Sequence, residues 1–305
     1  MRYWRHYPKF MQVLLLMLMI FTLASFSTVI AHFTLPSFFG LSAASLQDIG
    51  MESSRRVISA TQYVQGLLSL FTFLLSALLF AYLTHPKPVS YLGLRSPGRP
   101  LQVPLAAVLM LAAMPLVNQL GYWMQQIDFG SGAKASYERG QEVIHAMMKG
   151  SSVPDLLIHL LLFAALPALG EEFLFRGVIM RLSYSNSKNI HFAILVSAAI
   201  FGMAHGSVYN YLPIMLMGVL LGYLYYLSGS IWLSVLAHFL NNSLGAIGLF
   251  LVNRGVVSAA TGDAEQFSWY VLLICAIVFG ALCVLLRKQA TPLPADWSDD
   301  FKGER

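Results

Sequence analysis

The sequence predicts an all-α fold: a polytopic membrane helix bundle of about eight transmembrane helices. Three observations carry this. Only 11% of the 305 residues are charged while 57% are hydrophobic, and a soluble domain averages roughly 25% charged. Seven apolar stretches are long enough to cross a bilayer, with one shorter stretch among them. The remaining segments are short and hold nearly all the lysine and arginine.

The first stretch, Met11 to Ala31, follows Arg2, Arg5 and Lys9. A signal-peptide core runs about 7–15 residues, so this longer run is expected to be an uncleaved span. Further spans are expected at 59–83, 101–124 and 154–182, with the shorter one at 190–205. Two more follow at 211–228 and 231–252, separated only by Ser228-Gly229-Ser230. So short a Gly/Ser turn forces an antiparallel hairpin. The last span is expected at 268–287. Pro115, Pro167 and Pro213 fall inside spans, where proline removes a backbone hydrogen bond and kinks a helix. Pro167 predicts a bend or restart just before the charged segment discussed below.

With the N-terminus inside, the inner segments hold Arg2, Arg5, Lys9, Lys87, Arg95, Arg99, Arg181, Lys188, Arg287, Lys288, Lys302 and Arg305. The outer ones hold Arg55, Arg56, Lys134, Arg139, Lys149 and Arg254, with acids that include Asp263 and Glu265. This bias places both termini in the cytoplasm. It also accounts for the net charge of +5 without nucleic acid as a partner. The longest connector, about 125–153, contains Tyr137–Met148, a segment suited to a short amphipathic helix at the interface or to a solvated link. The tail from Gln289 to Arg305 has two prolines and several charges, and disorder is expected there. Cys275 and Cys283 are eight positions apart in one apolar run, about 12 Å on a helix, too far to pair with each other.

The chemistry concentrates in three places. The run Gly170-Glu171-Glu172-Phe173-Leu174-Phe175-Arg176 puts two carboxylates and a guanidinium inside a span. An ionisable group there marks a functional site, because its desolvation needs a partner or a wet cavity. Glu172 and Arg176 are four apart and share a face, which suits an ion pair. Glu171 points about 100° away, and its own i+4 neighbour is Phe175, so it is the free carboxylate. His205 follows Phe201 by four positions. His238 and Asn242 are also four apart, while Asn241 points elsewhere. From the inner helix ends, Glu171, His205, His238 and Asn242 lie roughly 20, 22, 10 and 16 Å deep at helical rise, a spread that tilt and side-chain length can close.

A carboxylate beside a histidine can take a proton from water. A second histidine and an amide can donate to the oxyanion formed when that water attacks a carbonyl. The alternative is metal-assisted: Glu171, His205 and His238 are acceptable zinc ligands, with water in the fourth position. No His-Glu-x-x-His and no Gly-x-Ser-x-Gly sequence is present, and no cofactor is otherwise indicated.

The Glu-Glu-x-x-x-Arg, Phe-x-x-x-His and His-x-x-x-Asn motifs, with the run Gly218–Tyr225 ahead of the last of them, resemble the CPBP family of intramembrane proteases. These are CAAX-processing and bacteriocin-processing enzymes, also called the Abi family. The resemblance covers about 154–252. It implies an eight-helix bundle with its site inside the membrane, where Glu171 and His205 activate water and His238 and Asn242 form the oxyanion hole. It also implies a metalloendopeptidase-like or metal-free CAAX-type peptidase acting on a peptide or lipidated protein among membrane lipids. Residues 1–153 are then three N-terminal spans and an interfacial loop, 154–288 the catalytic core, and 289–305 the tail. Two other readings start from the same residues: a non-catalytic membrane partner that binds peptides, and a proton-coupled transporter, which would show inverted repeats that this sequence lacks.

Overall fold

The computed structural model describes residues 3–257, 266–294 and 296–298. Arg2, Asp263, Glu265, Lys302, Arg305 and the end of the tail lie outside the described residues. Among those described, the chain is helical throughout its spans. The first membrane helix, α1, is Lys9–Phe39, closed by Gly40 in the left-handed region. Helix α2 is Arg55–Thr84 and α3 is Gln102–Gln125. A connector helix, α4, covers Ser131–Met147, so a helix does occupy the loop, six residues earlier than the amphipathic pattern indicated. Helix α5 is Val153–Ser187 and α6 the shorter Ile190–Ala204. Helix α7 is Val208–Ser228, α8 is Ile231–Asn253 and α9 is Trp269–Lys288. Seven are long and apolar enough to cross a membrane, and α6 is the shorter apolar one. The chain is therefore an all-α, multi-pass membrane protein.

Local chemistry sets the boundaries. Ser152 and Asp155 form a reciprocal capping box at the start of α5, satisfying amides that the first turn leaves without partners. Asn189 accepts from the amides of His191 and Phe192 to open α6. Gly229, at φ 69°, ends α7, and Ser230 caps α8. The hairpin expected at Ser228–Ser230 forms as the Gly/Ser turn requires.

Helix α5 does not break at Pro167. It runs on through two π-helical segments, Leu160–Ala165 and Phe173–Ile179. Pro167 lies two residues after the end of the first of them. The wider turn absorbs the missing amide, so the proline is accommodated without interrupting the helix. The second π segment begins immediately after Glu172 and contains Arg176.

Apolar residues cover the bundle's outer faces, with Phe21, Phe33, Trp269 and Ile277 among the exposed ones. Lipid is as apolar as leucine, so close packing rather than water exclusion must join such helices. Gly218 and Gly222 of α7 show how: a Cβ at Gly218 would lie 3.0 Å from the Cα of Ala198, and one at Gly222 would lie 2.9 Å from Ile194. The two backbones touch because no side chain stands between them.

One buried cluster joins Leu16, Phe80, Leu174, Val178, Ile194 and Tyr225. A second joins Leu109, Met110, Leu221, Leu233 and Leu286. Both draw on helices from either side of residue 153, so the first three spans share their cores with the segment that carries the motifs.

The tail differs from the expected disorder as far as it is described. The amides of Thr291 and Leu293 donate to the carbonyls of Leu227 and Tyr226 at 2.8 and 2.9 Å. Gln102 Nε2 donates to the Gln289 carbonyl at 2.9 Å, and Trp297 stacks on Tyr184. The last carbonyls of α7 have no partner within the helix, and the tail supplies one.

Candidate active site

The site is built on α5, α6 and α8. Glu172 and Arg176 are fully buried. Arg176 Nη1 donates to Glu172 Oε1 at 2.7 Å, the ion pair expected from their spacing. Arg176 Nη2 donates to the carbonyl of Gly218 at 2.9 Å, and its guanidinium lies 4.8 Å from the Phe201 ring centre. Gly218 therefore has two uses: it lets α6 approach α7, and it offers the guanidinium a carbonyl.

His238, buried on α8, joins this pair. Its Nδ1 lies 2.9 Å from Glu172 Oε1. A carboxylate only accepts, so Nδ1 carries the hydrogen. Its Nε2 lies 3.8 Å from Glu171 Oε2, beyond hydrogen-bond range and within reach of an ion pair. One imidazole thus faces both adjacent glutamates. Glu171 Oε2 is buried and accepts no hydrogen bond among the described residues, while Glu172 Oε1 accepts two. The spacing argument separated these carboxylates correctly in geometry, but it did not reveal that Glu172 holds a histidine as well as an arginine.

His205 immediately follows the last residue of α6 and is exposed. Its Nδ1 is 2.8 Å from the Phe201 carbonyl, which again only accepts, so in the neutral ring Nε2 is the lone-pair nitrogen. Both imidazoles act electrostatically on Glu171. Phe201 ties the cluster together: its ring meets His205 edge-on at 4.8 Å and His238 at 5.8 Å. Asn242 lies one turn beyond His238 and is half-buried. Its Oδ1 accepts from Asn241 Nδ2 at 3.0 Å, so Asn241 faces Asn242 rather than pointing away from it. That bond orients the Asn242 amide and leaves its Nδ2 hydrogens for another acceptor.

Among the described residues, no group of three His, Cys, Asp or Glu side chains is arranged to hold a metal ion. Glu171, His205 and His238, the set suited to zinc by chemistry, are near one another but are not placed as a coordination sphere. His238 Nδ1 and His205 Nδ1 are already engaged, which leaves Nε2 as the other nitrogen of each ring.

A buried acid pair, a guanidinium and two imidazoles with engaged Nδ1 atoms thus lie together in the bundle. Residues 153–244 match a family model described as Type II CAAX prenyl endopeptidase Rce1-like. The match spans all three motifs and supports the resemblance read from them: this segment is similar to the CPBP-type intramembrane peptidases. No curated protein and no solved structure matches the chain.

Proposed function

We propose that the protein cleaves a prenylated CAAX-type peptide near its C-terminus, with water as the nucleophile and no covalent intermediate. The family description supplies the substrate class. The observation that carries the mechanism is the chain Glu171–His238–Glu172–Arg176, in which one carboxylate is committed to structure and the other is not.

Glu171 takes a proton from water through Oε2, with the Nε2 lone pair of His205 beside it as a second acceptor. The water oxygen adds to the peptide carbonyl carbon, and the carbonyl electrons move onto oxygen. Asn242 Nδ2 and His238 Nε2 then donate to that oxyanion. Because Nδ1–H of His238 is engaged by Glu172, Nε2 is a donor only when the ring is doubly protonated. The proton held by Glu171 passes to the departing amine nitrogen as the C–N bond breaks. The other water proton stays on the new carboxyl group, so the products are a carboxylic acid and an amine.

The test uses purified full-length protein with a farnesylated CAAX peptide and the same peptide without its lipid, the released fragment being read by mass spectrometry. The wild type is expected to cleave the lipidated peptide, and Glu171→Ala is not. Cleavage at the wild-type rate by Glu171→Ala, or none of either peptide by the wild type, overturns the proposal.

A further inference from the structure

A cavity of about 940 Å³ lies between α3, α7 and α9, within the range that accommodates a whole small ligand. None of its lining residues belongs to the carboxylate–imidazole site. Its walls are apolar, with Leu109, Leu116, Leu220 and Phe279 among them. Along α7 it extends from Leu216 to Leu227, about 16 Å at helical rise. That is about half the thickness of a bilayer's hydrocarbon core, or one leaflet.

Its polar groups are not scattered. His191 opens α6, and Arg287 is in the last turn of α9; both lie toward the side of the bundle where the tail packs. His191 Nδ1 is bonded to the Tyr223 hydroxyl at 2.7 Å, which leaves Nε2 as the ring's other polar atom. Arg287 is exposed and forms no ion pair among the described residues. Among the described residues, no aspartate or glutamate lines the cavity. The result is a hydrocarbon slot one leaflet deep with a free guanidinium and an imidazole at its mouth.

We propose that this slot binds an anionic phospholipid from the leaflet on the side of the chain termini. One acyl chain lies along the leucine wall of α7, and the phosphate meets Arg287 with His191 beside it. A zwitterionic lipid fills the slot equally well but adds a cation next to Arg287. A prenyl thioether has no charge for Arg287 to meet. The inference is independent of whether the chain cleaves peptides.

The test is lipid retention by the full-length protein. It is reconstituted in vesicles of phosphatidylcholine and phosphatidylglycerol at 4:1 and re-extracted, and the co-purifying lipid is quantified by mass spectrometry. The wild type is expected to retain phosphatidylglycerol above its share in the vesicle. Arg287→Gln is expected to lower that enrichment about fivefold, the weight of one cation beside an anionic lipid. Lys288→Gln removes the same charge one residue away, outside the cavity lining, and is expected to leave the enrichment intact. Leu220→Trp, which fills the slot, is expected to lower retention of both lipids. Should that variant fail to fold, the Arg287 and Lys288 pair decides alone. Retention in vesicle proportions by the wild type, or equal effects of Arg287→Gln and Lys288→Gln, overturns the proposal. So does displacement of phosphatidylglycerol by an equimolar farnesylcysteine methyl ester, which would assign the slot to a prenyl chain.

Discussion

Replacing each of the adjacent glutamates by glutamine is expected to give opposite phenotypes. Glu172 Oε1 accepts from both Arg176 and His238. Neutralising it takes the paired charge from Arg176, whose side chain is 1% exposed, and leaves it the Gly218 carbonyl and the Phe201 ring beside an uncharged amide. Breaking a buried ion pair by removing one partner costs about 3–5 kcal/mol. The two remaining contacts place the expected loss toward the lower end. At roughly 2–4 °C per kcal/mol for a chain of this size, the melting temperature should fall by on the order of 10 °C.

Glu171 Oε2 makes no hydrogen bond that the amide would forfeit, so Glu171→Gln should melt close to wild type. It cannot take a proton from water, and turnover should fall about 10²–10⁴-fold. Adding Arg176→Gln to Glu172→Gln removes the stranded charge and should restore much of the melting temperature. It should not restore turnover, because His238 Nδ1 still lacks its carboxylate. The assays are thermal melting in detergent and peptide cleavage rate for both single variants and the double. If Glu172→Gln melts like wild type yet is inert while Glu171→Gln unfolds, the two carboxylates have been assigned the wrong way round.

Other expectations are simpler to check. Asn242→Ala should lower kcat about 10²–10³-fold with the fold intact, the usual loss of one oxyanion donor; a fall in substrate affinity alone would refute that role. Gly218→Leu should destabilise by about 1–3 kcal/mol through overpacking, because its Cβ would meet Ala198 at 3.0 Å, and melting in detergent reads this. Reporter fusions at Lys134 and Lys288 should lie on opposite sides of the membrane, as the lysine and arginine bias requires; the same side at both removes the eight-span topology. Activity should survive thorough chelation, since water activation by Glu171 and His205 needs no ion. Loss of activity that is restored by added zinc would decide for the metal mechanism.

What the sequence made legible was whatever depends on a single helix. Charges in an apolar run, and pairs four residues apart, are properties of one segment with a period of 3.6. The Glu172–Arg176 pair and the eight apolar helices follow from that alone. Residues 289–294 of the tail differ from the expectation because their prolines describe only local composition, whereas their order comes from carbonyls that α7 leaves free. The π segments left no mark either: a widened turn has no residue signature, and only Pro167 pointed to one of them.

The least legible feature was the role of His238, and helical geometry explains why. Adjacent residues on a helix diverge by about 100°, and the α5 positions that neighbour both Glu171 and Glu172 hold Ala168 and Phe175, neither of which carries a polar side-chain atom. A side chain from another helix can meet both carboxylates, provided that it carries two polar atoms on different edges of a rigid body. Imidazole meets that requirement with Nδ1 and Nε2. The adjacent acids therefore carry meaning only with a ring supplied from α8, and α8 is placed by its packing along α5 rather than by any spacing within it. Phe201, Gly218 and Arg176 serve the same end: they hold α6, α7 and α5 in register, so that one carboxylate is committed to structure while the Oε2 of its neighbour, one residue away, accepts no hydrogen bond among the described residues.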